Sequence, residues 1–478
     1  MDIREGLTFD DVLLVPKFSD VSSRSETDLS TQLSRNISIN IPLISANMDT
    51  VTESSMAVTI AREGGIGIIH RFLTIQEEVN EVLKVKRSGS VMIENPYSIN
   101  PEQTIQNAFS IMNEKQVSGL LVVDSNSKLV GILTGRDVLF EPPNCSKLVK
   151  ELMTKDVVTA KLGIDLEEAK EVLKKNRIEK LPIIDDNNLV KGLITCQDIS
   201  NLEKYPNASK DNKGRPIVGA AVGVKGDFME RTEALIGAGT DAIVVDIAHG
   251  HSENAINTVK NIKKAFSDCE IIAGNVATAK GTEDLIKAGV DAVKVGVGSG
   301  SICITRVITG SGVPQLTAVL DCAKVGKEYN IPIISDGGTR NSGDATKALA
   351  AGASSIMVGG ILGGTDETPG TTITKNNKRF KIYRGMASLG ASMGRKTRET
   401  GAFELTDDIN DYVAEGVDAM VPYKGSVTDI ITQITGGIRS GLSYCGAHNI
   451  KQMHENAEFI KISGAGFAES QPHDVDIM

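Results

Sequence analysis

The sequence predicts an α/β protein, a (β/α)8 TIM barrel interrupted by a smaller α+β domain. Three observations carry this. Short apolar runs alternate with helical stretches, the alternation breaks off once and resumes, and the break contains a repeat of its own. Apolar runs of this length, bounded by turn residues, read as strands buried on both faces.

Residues 1–40 read as an N-terminal arm: Leu7-Thr8-Phe9-Asp10-Asp11-Val12-Leu13-Leu14-Val15-Pro16 is too short and mixed for a domain. Pro42 to Ser45 reads as the first strand, Glu53 to Glu63 as a helix, and Gly65 to His70 as the second strand. The alternation stops near Val91 and resumes near Pro216. Strand-like runs then come at 218–222, 242–246, 271–275, 292–295, 333–336 and 355–358. Helical patterns such as Asn254 to Phe266, Thr282 to Ala288 and Ser342 to Ala351 lie between them. Two strands precede the break and six follow it, the number a (β/α)8 barrel needs; the alternative is an open doubly wound sheet. The division is therefore 1–90, arm and first part of the barrel; 91–205, the inserted module; and 206–478, the rest of the barrel with a lid and a tail.

The insertion is a pair of half-repeats. One closes Gly131-Ile132-Leu133-Thr134-Gly135-Arg136-Asp137 and the other Gly192-Leu193-Ile194-Thr195-Cys196-Gln197-Asp198. Each carries a helical pattern, Thr104 to Lys115 and Asp165 to Asn176. The shared G-x-x-T-x-x-D close marks an internal pair, with the spacing before the glycine differing by one residue.

Composition narrows the class. Of 478 residues, 40% are hydrophobic and 4% aromatic, with 47 glycines, as suits an α/β enzyme with many tight loops. A net charge of −10 argues against a general nucleic-acid surface. The six cysteines form no C-x-x-C pair and no His stands at zinc-ligand spacing, which fits a reducing compartment. The start, Met1-Asp2-Ile3-Arg4-Glu5, is polar, and no apolar run reaches bilayer length. The expectation is a cytoplasmic protein without a membrane anchor.

The chemistry should lie at the C-terminal ends of the barrel strands. The richest of these follows the run 292–295: Gly296-Val297-Gly298-Ser299-Gly300-Ser301-Ile302-Cys303-Ile304-Thr305-Arg306. Glycines let backbone approach a ligand closely, so Cys303 can reach a substrate, and Arg306 beside it would favour the thiolate. The plainer reading is a structural loop with an inert Cys. Other strand ends offer Ser45 to Asp49, His70-Arg71, Asp246 with His249-Gly250, and Gly274-Asn275. Gly337-Gly338 and Gly359-Gly360 follow strands seven and eight, where barrels of this type hold phosphate on backbone N–H groups. Asp336 is placed to accept from ribose hydroxyls, or else to cap a helix. Beyond the last strand, Tyr383-Arg384-Gly385-Met386 leads into a charged segment, Arg395 to Asp411, that reads as a lid or as a surface loop.

These stretches, taken together, resemble the IMP dehydrogenase / GMP reductase family from end to end. The resemblance rests on Gly6 to Leu14, Ser45 to Glu53, Gly298 to Thr305, Gly310-Ser311-Gly312-Val313-Pro314-Gln315, Ser335 to Gly338, Tyr383 to Met386 and the tail Glu469 to Val475. The half-repeats resemble a tandem CBS module, which implies an adenine or guanine nucleotide with Asp137 and Asp198 on its ribose; packing alone is the other reading. The resemblance implies NAD-dependent oxidation of IMP to XMP, a step of guanine nucleotide synthesis, with Cys303 as the nucleophile at C2 of the base and a covalent thioimidate. It further implies that Ser301, Gly338, Gly359 and Gly360 bind the nucleotide phosphate, Asp336 the ribose, and Met386 and Glu415 the base, with Gly337, Tyr383 and Gly385 also on the substrate. Asp246, Gly296 and Gly298 fall on the cofactor side. Carbonyls of Gly298, Gly300 and Cys303 match ligands of a potassium ion, K+, with Glu469, Ser470 and Gln471 from a neighbouring subunit. That implies a homotetramer.

Two positions depart from the family pattern. Its lid carries an Arg-Tyr pair whose Arg activates the hydrolytic water; here Arg398 is followed by Glu399. Thr305 with Glu415 is the alternative for that role. The second is Gly360, which stands where Ser is usual. Both departures favour the reductase side, which converts GMP to IMP with NADPH. The Gly312 to Gln315 stretch, the tail and the inserted module favour the dehydrogenase. A nucleotide sensor without catalysis is the remaining reading.

Overall fold

The computed structural model describes residues 3–89, 92–115, 117–400 and 413–472, the side chains of 201, 202 and 395–400 excepted. Eight parallel strands close into a barrel: β1 (Leu43–Ser45), β2 (Ile66–Ile69), β3 (Val218–Val222), β4 (Ala242–Asp246), β5 (Glu270–Val276), β6 (Ala292–Val295), β7 (Ile333–Asp336) and β8 (Ser355–Val358). β8 pairs with β1, Ile356 opposite Leu43 and Val358 opposite Ser45, so the sheet has no edge. The closed barrel replaces the open-sheet alternative, and each strand falls on an apolar run of the sequence.

The barrel interior is filled by aliphatic side chains, among them Ile44, Ile68, Val244, Ile272, Ile334 and Met357. The alternate residues of the same strands face the outer helices, where Val218, Ile243, Ile271, Val293 and Ile356 join the larger core. Burial on both faces accounts for near-continuous apolar runs. Two of the outer helices start on side-chain caps: Ser252 accepts from Ala255 N ahead of Glu253–Ala265, and Asn341 from Asp344 N ahead of Ser342–Ala350.

The arm is tied to the barrel unit by its own backbone. Val12–Leu14 pairs antiparallel with Phe459–Lys461. After β8 the chain forms a three-stranded antiparallel sheet that the sequence reading did not anticipate: β9 (Ile373–Lys375), β10 (Lys378–Arg384) and β11 (Asp418–Pro422). Helix Leu389–Thr400 lies between β10 and β11 in sequence.

Residues 87–206 and 212–215 form a separate compact unit. Its two halves repeat one topology. Gly119–Val123 pairs parallel with Ser98–Ile99 and antiparallel with Leu129–Thr134. Lys180–Ile184 pairs parallel with Ala160–Lys161 and antiparallel with Val190–Thr195. Both hairpins shift register at the same place, between Val122 and Val123 and between Ile183 and Ile184. In each half the closing Asp folds back on its own turn: Thr134 Oγ1 donates to Asp137 Oδ2 at 2.8 Å, and Thr195 Oγ1 to Asp198 Oδ2 at 2.6 Å. Among the described residues no helix is long and apolar enough to cross a membrane.

Candidate active site

A cavity of about 1030 Å3 opens at the C-terminal ends of the barrel strands. Its wall includes Asp246, Gly296, Gly298, Gly300, Ser301, Cys303 and Thr305, and also Asp336, Gly337, Gly338, Gly359 and Gly360. From beyond β8 it takes Tyr383, Gly385, Met386 and Glu415. Sequence positions as far apart as Thr8 and Ile430 thus meet in one place. The tail residues Glu469, Ser470 and Gln471 do not line it; they lie on and just after the exposed helix Gly464–Glu469. Arg398 falls in helix Leu389–Thr400, and its side chain lies outside the described residues, as do residues 401–412 of the lid segment.

The cysteine loop can follow β6 only because of glycine. A Cβ on Gly296, at φ +151°, would sit 1.9 Å from Asp336 O, so no side chain fits between β6 and β7 there. The loop is then stitched to the chain beyond the lid. Ile304 N donates to Glu415 O at 2.9 Å and Val417 N to Ile302 O at 3.1 Å. That pairing brings the Glu415 side chain over the loop. Thr305 Oγ1 donates to Glu415 Oε2 at 2.7 Å and lies 3.1 Å from Cys303 Sγ. A hydroxyl has one proton to give. With that proton on Glu415, Thr305 accepts from the Cys303 thiol.

Arg306 does not serve Cys303, contrary to the sequence expectation. Its stem runs against Gly298 and Gly312, whose missing side chains leave it room. Its guanidinium donates to Val313 O at 2.5 Å and Val297 O at 3.4 Å. It braces the loop rather than the thiolate.

At the β7 and β8 ends, Ser301 Oγ and Tyr383 OH are 3.4 Å apart beside Gly360. A Cβ on Gly360 would stand 2.9 Å from Ser301 Oγ, so the departure from Ser leaves that hydroxyl uncrowded. Burial pushes the Tyr383 phenol up, keeping it a neutral donor. Asp336 is not a helix cap, because Asn341 fills that role.

Sequence reading missed a buried charge group at this site. Lys294, on β6, donates to Asp246 Oδ1 at 3.0 Å, to Asp336 Oδ2 at 2.8 Å and to Asn275 Oδ1. Burial alone would lower the Lys294 ammonium, but the carboxylates of Asp246 and Asp336 outweigh it and push it up. Burial alone would raise the Asp246 carboxyl, and Lys294 and Arg71 outweigh it and hold it down. A lysine inside an otherwise apolar strand run was the available signal, since a buried cation requires partners. Thr8, Phe9 and Asp10 of the arm also line the cavity.

A closed (β/α)8 barrel with a cysteine loop and converging polar groups at its C-terminal mouth defines a barrel enzyme. The chain belongs to the IMP dehydrogenase / GMP reductase family, an oxidoreductase family: the model of the IMP dehydrogenase / GMP reductase domain matches residues 6–473. It is 75% identical over 478 residues to an inosine-5′-monophosphate dehydrogenase of Nitrosopumilus maritimus (strain SCM1), covering 100% of both chains. It is 53% identical over 477 residues to that of Aquifex aeolicus (strain VF5), covering 99% of this chain and 96% of the relative. Among solved structures it is similar to a GMP reductase variant from Trypanosoma brucei in complex with guanosine 5′-monophosphate, with 45% identity, a TM-score of 0.92 and 99% of each chain covered. A second structure of that reductase, in complex with guanosine 5′-triphosphate, matches with 42% identity and a TM-score of 0.81 over 97% of this chain and 99% of the other.

Proposed function

We propose that this protein oxidises IMP to XMP with NAD as hydride acceptor, through a covalent intermediate on Cys303. The chain Cys303–Thr305–Glu415, with Thr305 Oγ1 3.1 Å from Sγ and 2.7 Å from Glu415 Oε2, carries this reading. Glu415 takes the thiol proton through Thr305, and the thiolate adds to C2 of the hypoxanthine ring, whose adjacent nitrogen takes the displaced electron pair. NAD supplies the acceptor for the hydride that leaves C2. The sulfur is then bound as a thioimidate. Water adds at C2, the C2–S bond breaks and XMP leaves. The sum is IMP, NAD and water to XMP, NADH and a proton. The thiol proton passes from Glu415 to solvent before hydrolysis; with Glu399 where the family pattern has Tyr, Glu415 then takes the proton of that water through Thr305 and returns it to the departing Cys303 thiolate, with Arg398 the lid's contribution.

The other residues hold the ligands. Ser301, Tyr383 and the backbone at Gly338, Gly359 and Gly360 receive the phosphate, Asp336 the ribose, and Met386 the base. Asp246 faces the nicotinamide side. Carbonyl oxygens of Gly298, Gly300 and Cys303 are hard donors of the kind an alkali cation takes. The Gly300 carbonyl already accepts from Cys303 N at 3.1 Å, which fixes the turn that presents them. Glu469, Ser470 and Gln471 lie away from this chain's own loop, so a second copy supplies them to K+, in keeping with a homotetramer. The repeated module takes an adenine or guanine nucleotide.

GMP reduction is the second reading. Arg398-Glu399 favours it, as does the match to a GMP reductase over 99% of both chains, which leaves the inserted module common to both activities. A paired absorbance assay with potassium present decides. A rise with IMP and NAD alone supports the dehydrogenase. A fall with GMP and NADPH alone replaces it with the reductase, and silence in both defeats either enzyme reading.

A further inference from the structure

Lys294 stands on β6 and its side chain is 3% exposed. An ammonium has three donors, and here each has a partner on a different strand end: Asp246 at the end of β4, Asn275 in β5 and Asp336 at the end of β7. Asn275 Nδ2 donates onward to Asp336 Oδ2 at 2.9 Å and to Gly296 O at 2.7 Å, the first residue of the cysteine loop. Both donors to Asp336 fall on Oδ2, so Oδ1 stays available to a ligand. Without Lys294, two carboxylates would face the same buried point with only Arg71, beside Asp246, as counter-charge, and they would repel across it.

We propose that Lys294 is a positioning residue that couples the two halves of the cavity. It holds the carboxylate offered to the ribose and the carboxylate offered to the dinucleotide on one ammonium, so that displacing either disturbs the other. The inference rests on the subsite reading given above for Asp246 and Asp336. Groups sharing one network are the ones that fail to add in a double-mutant cycle.

The test uses the full-length protein, with IMP affinity measured by equilibrium titration and KM values by steady-state kinetics. Lys294→Met is expected to raise KM for both IMP and NAD about tenfold or more. Lys294→Arg should restore part of both. Asp246→Asn, on the dinucleotide side, should weaken IMP binding several-fold in the wild-type background and not further beside Lys294→Met. Iodoacetamide labelling of Cys303 at the wild-type rate reports an intact loop in each variant. Unchanged KM values, a change confined to one ligand, or an equal Asp246→Asn effect in both backgrounds would overturn the proposal. If Lys294→Met does not fold, the Asp246→Asn arm stands by itself, and unchanged IMP binding overturns it. Wild-type protein that binds no purine mononucleotide defeats the underlying reading instead.

Discussion

Thr305 donates its hydroxyl proton to Glu415 across 110 positions of sequence, at 2.7 Å, while its oxygen lies against the Cys303 thiol. A single hydroxyl thereby joins a nucleophile to a carboxylate. Thr305→Val keeps the shape and removes the relay, and Glu415→Gln keeps the hydrogen bond and removes the base. Each should lower kcat by roughly 10²-fold or more, the usual scale for a positioned acid–base group, with KM for IMP changed much less. Steady-state kinetics on both variants checks this.

Tyr383 and Ser301 offer neutral hydroxyls where the phosphate is expected, and burial holds the phenol protonated. Tyr383→Phe removes one donor to a charged group, worth about 1.5–3 kcal/mol. KM for IMP should rise about tenfold or more with kcat nearly unchanged. Inosine, which lacks the phosphate, should bind wild type and variant alike in a competition assay.

Arg231 is buried and clamps three elements: it donates to Glu78 Oε2 at 2.5 Å, to Leu73 O at 2.9 Å and to Asp227 Oδ2 at 2.7 Å. Arg231→Met leaves Glu78 buried without its cation and should cost about 3–5 kcal/mol in denaturant unfolding. Adding Glu78→Leu should recover much of the loss, because the unpartnered carboxyl, which burial pushes up to about 8, is then gone.

His454 is exposed on its outer side, yet its Nε2 lies against Ala353 O at 3.1 Å, and desolvation of the ring lowers its pKa from the ordinary 6.5. The unfolded chain therefore binds a proton more readily than the folded one. The stability contribution is complete above pH 6.5 and is lost as pH falls below it toward the depressed folded value. Unfolding midpoints measured down through this window should fall less steeply for His454→Asn than for wild type.

The barrel was legible because burial on both faces leaves runs such as Ile333-Ile334-Ser335 and Ser355-Ile356-Met357-Val358 with little else to be. The cysteine loop and the glycine pairs were legible because close backbone approach demands glycine, as Gly296 demonstrates. Side-chain direction was not. Adjacent in sequence, Arg306 looked like the partner of Cys303, yet Gly298 and Gly312 give it a berth on the other side. Lys294 was passed over since a strand pattern records which face a residue takes and not which distant carboxylates meet it there. The sheet of β9, β10 and β11 was hidden by its pattern: Lys378 and Arg379 are adjacent charges, and beyond them Lys381 is buried while Ile382 is exposed, the reverse of what alternation predicts.

The central claim is a covalent bond between Cys303 and the nucleotide. Intact-protein mass spectrometry after rapid acid quench, with IMP and NAD in turnover, tests it most directly. The account predicts an added mass of one nucleotidyl group on wild type, mapped to the peptide bearing Cys303. It predicts none on Cys303→Ala, which should still bind IMP. Turnover by Cys303→Ala, or an adduct on another residue, would contradict it.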